Sequence, residues 1–279
     1  MAYFVKEIQM TSIYASIVLY KHNFEDISIT LNCLLESEYV KKIILVDNDL
    51  SDWAENLNHE KVIYLKSEGN FGFGYGHNLA IQSHAFESDF YLVCNPDIKF
   101  EQSEFSKLVQ FAENRSEGLF LPKIIYSDGK NQFGARLLPS PLNLFARRFS
   151  KKMAIKQDKQ YLLQDFEIDK PIFAPYLSGC FMFFKSEVLL ALNGFDEQYF
   201  MYMEDVDLSR RCASEFGTVY YPHSVITHFH ERASHNNKIL LKAHIKSAFQ
   251  YFNKWGWIYD SEKNRLNREC LEQFLKNKF

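Results

Sequence analysis

The chain has 279 residues, 47% of them hydrophobic and 24% charged, a balance typical of globular proteins and far from that of disordered chains. Its formal net charge is −3, which gives no field that would favour nucleic acid as a partner. Aromatic residues make up 16%, with 26 Phe and 16 Tyr, side chains that fill cores and line sugar or nucleotide pockets.

Met1 to Met10 carries Lys6 and Glu7 and has no apolar centre, so no signal peptide is expected. Strand-prone runs then follow at Ser12 to Leu19, Lys42 to Val46, Lys61 to Leu65 and Phe90 to Val93. Helical segments lie between them at Phe24 to Leu35 and Gly76 to Phe86. In the first, Phe24, Ile27, Leu31, Leu34 and Leu35 recur at helical spacing and form one apolar face. Such alternation predicts a parallel sheet covered by helices, with a ligand site at the carboxyl ends of the strands.

The strand ends carry the chemistry. Asp47 and Asn48 close the second strand, where a carboxylate can accept the imide N–H of uracil or thymine and would refuse cytosine. Asp47 or Ser51 could equally cap the next helix. Gly69 to Ala80, rich in glycine, follows the third strand and opens a helix. Its glycines permit close backbone approach to an anionic ligand, or simply a tight loop. Its spacing is not that of a dinucleotide fingerprint. Asn95-Pro96-Asp97 ends the fourth strand with an acid suited either to a hard divalent cation holding a diphosphate or to a Pro-Asp turn.

Beyond Leu119 the pattern changes. Phe120 to Tyr126 runs into the turn Ser127-Asp128-Gly129, and a hairpin return is expected from Phe133. Asn143 to Gln160 holds Arg147, Arg148, Lys151, Lys152, Lys156 and Lys159 against Asp158 alone. It reads as a mobile basic insertion at 143–160, either solvated or facing an anionic membrane or diphosphate-bearing acceptor. A strand at Gly179 to Phe184, a helix at Asp205 to Glu215 and strands at Val219 to Pro222 and Val225 to Phe229 complete a first domain, 1–235. A helical extension, 236–279, is expected to pack on it, its Phe249, Phe252, Trp255 and Trp257 forming either core or a membrane-facing patch. No apolar run approaches the roughly 20 residues needed to span a bilayer. The five scattered cysteines suggest reduced thiols in a cytoplasmic protein rather than disulfides or a zinc site.

Asn193 to Arg211 is the richest stretch. Asp207 and Arg211 make an ordinary i,i+4 pair, and acids at a helix start can be dipole partners only. Asp196, Glu197, Glu204 and Asp205, however, flank the apolar run Phe200 to Met203, an environment that raises proton affinity and suits a general base. The string from Gly194 to Arg211 resembles the signature of glycosyltransferase family 2, in its bacterial rhamnosyltransferase-like branch. Val46-Asp47-Asn48, the glycine-rich segment, Asn95-Pro96-Asp97, Ser178-Gly179-Cys180 and Thr227-His228 occur in that family's order, so the resemblance covers about Ser12 to Trp255.

The resemblance implies a GT-A fold: an α/β, Rossmann-like nucleotide-sugar-binding sandwich with a central, mostly parallel sheet, here with a helical C-terminal extension. It implies transfer of a sugar with inversion and assigns Asp205 as catalytic base. Asp47 would read the base, with Ser16 and Tyr20 nearby, and Asn48, Gly72, Gly76, Asn78 and Asn95 would complete the donor site. Asp97 and His228 would hold Mg²⁺ or Mn²⁺, and Gly179 and Glu204 would face sugar or acceptor. Asn95 stands where the family usually has the first acid of its metal motif, leaving one carboxylate. The donor expected is dTDP-L-rhamnose, with a UDP-sugar as alternative. The acceptor expected is a bacterial surface glycan such as O-antigen or capsule on a lipid carrier, reached by peripheral contact with the cytoplasmic face of the inner membrane. A sugar nucleotidyltransferase is disfavoured because Tyr14 to Asn23 contains no glycine, and a non-catalytic subunit because Asp47, Asp97 and Asp205 are intact.

Overall fold

The computed structural model describes residues 10–145, 159–229 and 238–275. Strand β1 (Ile13–Leu19) is buried along its whole length, as expected of a strand covered on both faces. On one side of it lie β2 (Val40–Asp47) and then β3 (Val62–Lys66), both in parallel register; on the other lies β4 (Phe90–Cys94), also parallel. Three further strands continue past β4. They are β9 (Phe181–Lys185), antiparallel to β4; β6 (Leu119–Ile125), antiparallel to β9; and β10 (Thr218–His228), parallel to β6. The three-residue β5 (Ile98–Phe100) closes the edge antiparallel to β10, giving the order β3-β2-β1-β4-β9-β6-β10-β5.

Helix α1 (Phe24–Glu36) starts at a reciprocal capping box between Asn23 and Asp26 and buries Ile27, Leu31 and Leu34, while Phe24 stays exposed. Helix α2 (Phe73–His84) begins inside the glycine-rich segment rather than after it. Among the elements not anticipated are β5 and α3 (Gln102–Glu113), which buries Phe105, Leu108, Val109 and Ala112. The anticipated hairpin after Ser127-Asp128-Gly129 is replaced by a single bridge from Ile125 to Asn131. The chain pairs Ala135–Arg136 (β7) instead with Tyr176–Leu177 (β8), forty residues away. The two strands expected around Pro222 are one strand, β10, whose register with β6 shifts between Tyr221 and Val225. A proline has no N–H for the ladder, so an irregularity there is its natural outcome.

The remaining helices are α4 (Pro141–Phe145), α5 (Ser186–Ala191), α6 (Glu204–Glu215), α7 (Lys238–Trp255) and α8 (Ser261–Leu275). A second apolar cluster, including Tyr199, Val206, Tyr251, Phe252 and Leu266, joins α6 to the last two helices. Beside it Arg210 is buried in a bidentate pair with Asp260, both N–O distances 2.6 Å, and its guanidinium lies 4.0 Å from the Trp255 ring centre. Phe252 is therefore core, whereas Phe249 is exposed. All five cysteines are free and buried. No helix among the described residues is long and apolar enough to cross a membrane. Of the basic insertion, Arg147, Arg148, Lys151, Lys152 and Lys156 lie outside the described residues.

Candidate active site

The carboxyl ends of β1, β2 and β4 border a cleft of about 650 Å³. Tyr20, Lys21 and His22 enter it from the end of β1, Asn48 from β2, Asn70, Gly72 and Phe73 from the glycine-rich segment, and Asn95, Pro96 and Asp97 from β4. Met201 and Phe229 line it from the second half of the chain. Five expected site residues thus meet there: Tyr20, Asn48, Gly72, Asn95 and Asp97. Gly72 has φ +116°, and any side chain on it would collide with the Phe200 carbonyl, which also accepts the Phe73 N–H at 3.0 Å. The glycine lets the glycine-rich loop lie directly against the segment that leads to the acidic helix.

Other expected residues are placed elsewhere. Asp47 does not line the cleft: it is fully buried and accepts hydrogen bonds from the backbone of Asp49 (3.1 Å) and Asp52 (2.9 Å) and from the Tyr64 hydroxyl (2.9 Å). Burial alone would raise its pKa, but these donors outweigh it and hold the carboxyl at about 2. Its Oδ2 accepts the N–H of Asp52, the residue that precedes the 3₁₀ helix Trp53–Asn56, so its contacts are with the turn that follows β2. Ser16 is sealed inside the sheet, its hydroxyl 2.7 Å from Nδ1 of buried His77. Gly76 packs against Val18. Asn78 faces away from the cleft and clamps a turn, donating to the Phe195 carbonyl and Glu197 and accepting the Phe195 N–H. The resemblance nominated these positions; in the structure Ser16 and Asn78 direct their polar groups to protein partners.

Asp97 and Asp205 are joined through one turn. Asn95 donates its N–H to the Cys180 carbonyl at 2.9 Å, while the neighbouring Gly179 N–H donates to Asp205 Oδ2 at 2.9 Å. The Tyr176 hydroxyl donates to the same oxygen at 2.9 Å, and the Val206 N–H to Oδ1 at 2.9 Å. A Cβ on Gly179 would press into the Asp205 side chain, so glycine here allows turn and acid to touch. Just before α6, Tyr202 and Met203 both take left-handed backbone conformations, with φ of 68° and 69°. Such strain is held only where the surroundings enforce it, and it clusters at functional sites. Next to Asp205, Glu204 is buried, and desolvation together with the Asp205 charge pushes its pKa well above the usual carboxylate range.

His228, at the end of β10, puts Nε2 3.1 Å from Asp97 Oδ1, and its Nδ1 lies 2.9 Å from Gln132 Oε1. Burial would lower its pKa, but the Asp97 carboxylate and the Cys180 side chain raise it to about 10. Once the imidazole proton is displaced, the Asp97 oxygen and the His228 nitrogen suit a divalent cation whose other ligands come from a diphosphate and water. Among the described residues no larger cluster of His, Cys, Asp or Glu could hold a metal. Sequence reasoning missed Lys21, His22, Asn70, Gln132 and Tyr176. Lys21 and His22 were legible as the polar residues directly after β1; Gln132 and Tyr176 carried no signal.

Residues 44–249 match the model of the family described as glycosyltransferase like family 2. The rhamnosyltransferase WbbL of Escherichia coli K12 is 24% identical over 90% of this chain and 97% of its own length. An N-acetylglucosaminyl-diphospho-decaprenol L-rhamnosyltransferase of Mycobacterium tuberculosis is 28% identical over 80% of this chain and 78% of its own. Among solved structures, GalNAc-T7 with UDP, GalNAc and Mn²⁺ superposes with a TM-score of 0.62 at 12% identity, covering 98% of this chain and 57% of that one. The likeness to that structure is one of fold, and the fold is GT-A.

Proposed function

The chain belongs to glycosyltransferase family 2 and is a glycosyltransferase; from that premise we propose that it transfers L-rhamnose from dTDP-L-rhamnose, with inversion, to a hydroxyl of a lipid-linked bacterial surface glycan. The donor follows the two rhamnosyltransferase relatives, and the lipid carrier follows the decaprenol in the name of one of them. The observation that carries the reading is the Ser178–Cys180 turn, which ties Asp205 to the strand end bearing Asp97.

Asp205 receives the proton of the acceptor hydroxyl as that oxygen attacks the anomeric carbon opposite the departing nucleotide diphosphate. Tyr176 and the Gly179 amide hold the carboxylate in one orientation for this step. Lys21, lining the cleft, supplies positive charge for the donor's phosphates. Asp97 and His228 would hold a divalent cation, Mg²⁺ or Mn²⁺, which when bound neutralises charge on the leaving diphosphate. Asn48 and Tyr20 also line the cleft and are the side chains assigned here to the base and ribose.

The test is a panel of nucleotide sugars, read by release of nucleotide diphosphate and by calorimetry with and without chelator. Turnover of dTDP-L-rhamnose above all UDP- and GDP-sugars is expected. Turnover of a UDP-hexose or UDP-N-acetylhexosamine alone would replace the donor, and no diphosphate release from any donor would overturn the reading.

A further inference from the structure

Helix α7 carries an outward ridge that the core does not use. Leu241, Ile245 and Phe249 recur every four residues, so they line one stripe about 12 Å long. They are 53%, 36% and 48% exposed. The stripe continues beyond the helix: the Phe249 ring packs on Trp257 at 5.0 Å, and Ile258 next to it is 95% exposed. Lys242 and Lys246, both exposed, stand one position on from Leu241 and Ile245 and so border the ridge along its solvent side. The helix sequence contains four lysines and no acid; Lys254 is spent on ion pairs with Asp196 and Asp207, and Lys242 and Lys246 are the two that border the ridge.

The opposite face of α7 is fixed to the rim of the cleft. Ser247 donates to the Met201 carbonyl at 2.8 Å, Gln250 donates to the Gln198 carbonyl at 2.9 Å, and the His244 and Tyr202 rings lie 5.0 Å apart. Met201 itself lines the cleft. The apolar ridge is thus rigidly coupled to the site.

From this juxtaposition we infer that the outer face of α7, with Ile258, is a docking surface for an anionic lipid bilayer. Leu241, Ile245, Phe249 and Ile258 enter the boundary between headgroups and acyl chains, and Lys242 and Lys246 meet lipid phosphates. The pattern is that of an interfacial amphipathic helix: apolar on one stripe, cationic beside it, with no acid to repel the headgroups. Exposed lysines running alongside an apolar stripe match the layered chemistry of an anionic bilayer, phosphate beside acyl chain. The inference deepens the reading of a lipid-linked acceptor and rests on it for its purpose, since the surface would hold the cleft at the bilayer where such an acceptor lies.

Sedimentation with phosphatidylglycerol-containing vesicles, against pure phosphatidylcholine, tests it. The wild type is expected to sediment with anionic vesicles at low salt and to be released as salt rises. Leu241→Gln/Ile245→Gln/Phe249→Gln is expected to lower the partition coefficient about tenfold or more, and Lys242→Glu/Lys246→Glu to remove the preference for anionic lipid. The lysine pair changes only exposed residues and decides the matter should the triple variant fold poorly. Wild type that stays in the supernatant, or both variants sedimenting unchanged, would overturn the inference. So would a wild-type dimer dispersed by the triple variant, because the ridge would then be a contact between copies. Calorimetry with dTDP and Mn²⁺ on the same samples reads the donor site separately: unbound nucleotide with intact vesicle binding would fault the functional reading and leave the surface standing.

Discussion

Asp47 and Asp97 end two strands that flank the same central strand, yet they live in opposite surroundings. Asp47 is wholly enclosed and saturated by Asp49, Asp52 and Tyr64. Asp97 keeps 34% of its side chain exposed, lines the cleft and faces the charged imidazole of His228. Position at a strand's carboxyl end nominates an acid for ligand chemistry; the local supply of N–H and O–H donors decides whether its charge is available to anything else. The one acid steadies a turn, and the other presents a charge to the solvent side of the cleft.

Four substitutions sharpen or break this contrast. The largest effect is expected outside the pair, at Asp205: Asp205→Asn should lower transfer about 10²–10⁴-fold while the fold and donor binding hold. Near-normal turnover would remove Asp205 from the base role. Next, Asp97→Asn should abolish the chelator-sensitive part of nucleotide diphosphate affinity, a loss of about 10–100-fold by calorimetry. Equal affinities with and without Mn²⁺ in wild type and variant would show that no metal acts there.

Asp47→Asn should behave in the opposite way, costing about 1–3 kcal/mol of stability at neutral pH and leaving nucleotide affinity nearly intact. The pH dependence has a definite sign. The folded pKa of about 2 lies below the ordinary 3.8, so the contribution is complete above 3.8 and is lost as pH falls through 2. Wild type should therefore lose about 2 kcal/mol across that window that the variant never had, measured by denaturant titration at several acid pH values. Lost nucleotide affinity with unchanged stability would return Asp47 to the donor site. The smallest effect is expected at Tyr176→Phe. Removing one of the donors that orient the Asp205 carboxylate should lower kcat about tenfold or less while nucleotide affinity holds. An unchanged kcat would make Tyr176 merely a packing residue.

Much of the architecture was legible. The alternation over the first hundred residues gave β1 to β4 in parallel order, and the apolar spacing in Phe24 to Leu35 gave the first covering helix. Helix α3 carried an equally clear spacing in Phe105, Leu108, Val109 and Ala112 and could have been read. The β7–β8 pairing could not, because two-residue strands forty positions apart leave no periodicity. The site divides along the same line. Cleft positions set by strand ends, such as Asn95 and Asp97, were readable from local pattern, whereas side-chain direction was not. Ser16 and Asn78 sit beside the right elements but spend their polar groups on His77 and on the Phe195 turn, partners 61 and 117 residues away.

The Arg210–Asp260 pair carries a consequence for the length of the chain. Asp260 lies between α7 and α8 and is the carboxylate that neutralises a guanidinium enclosed by Trp255 and Tyr251. Ending the polypeptide ahead of residue 260 would strand that cation in an apolar interior, a penalty of about 3–5 kcal/mol. The last helix and the turn before it are thus a keystone rather than a trimming: a shortened version should be prone to aggregation even though every cleft residue is still present.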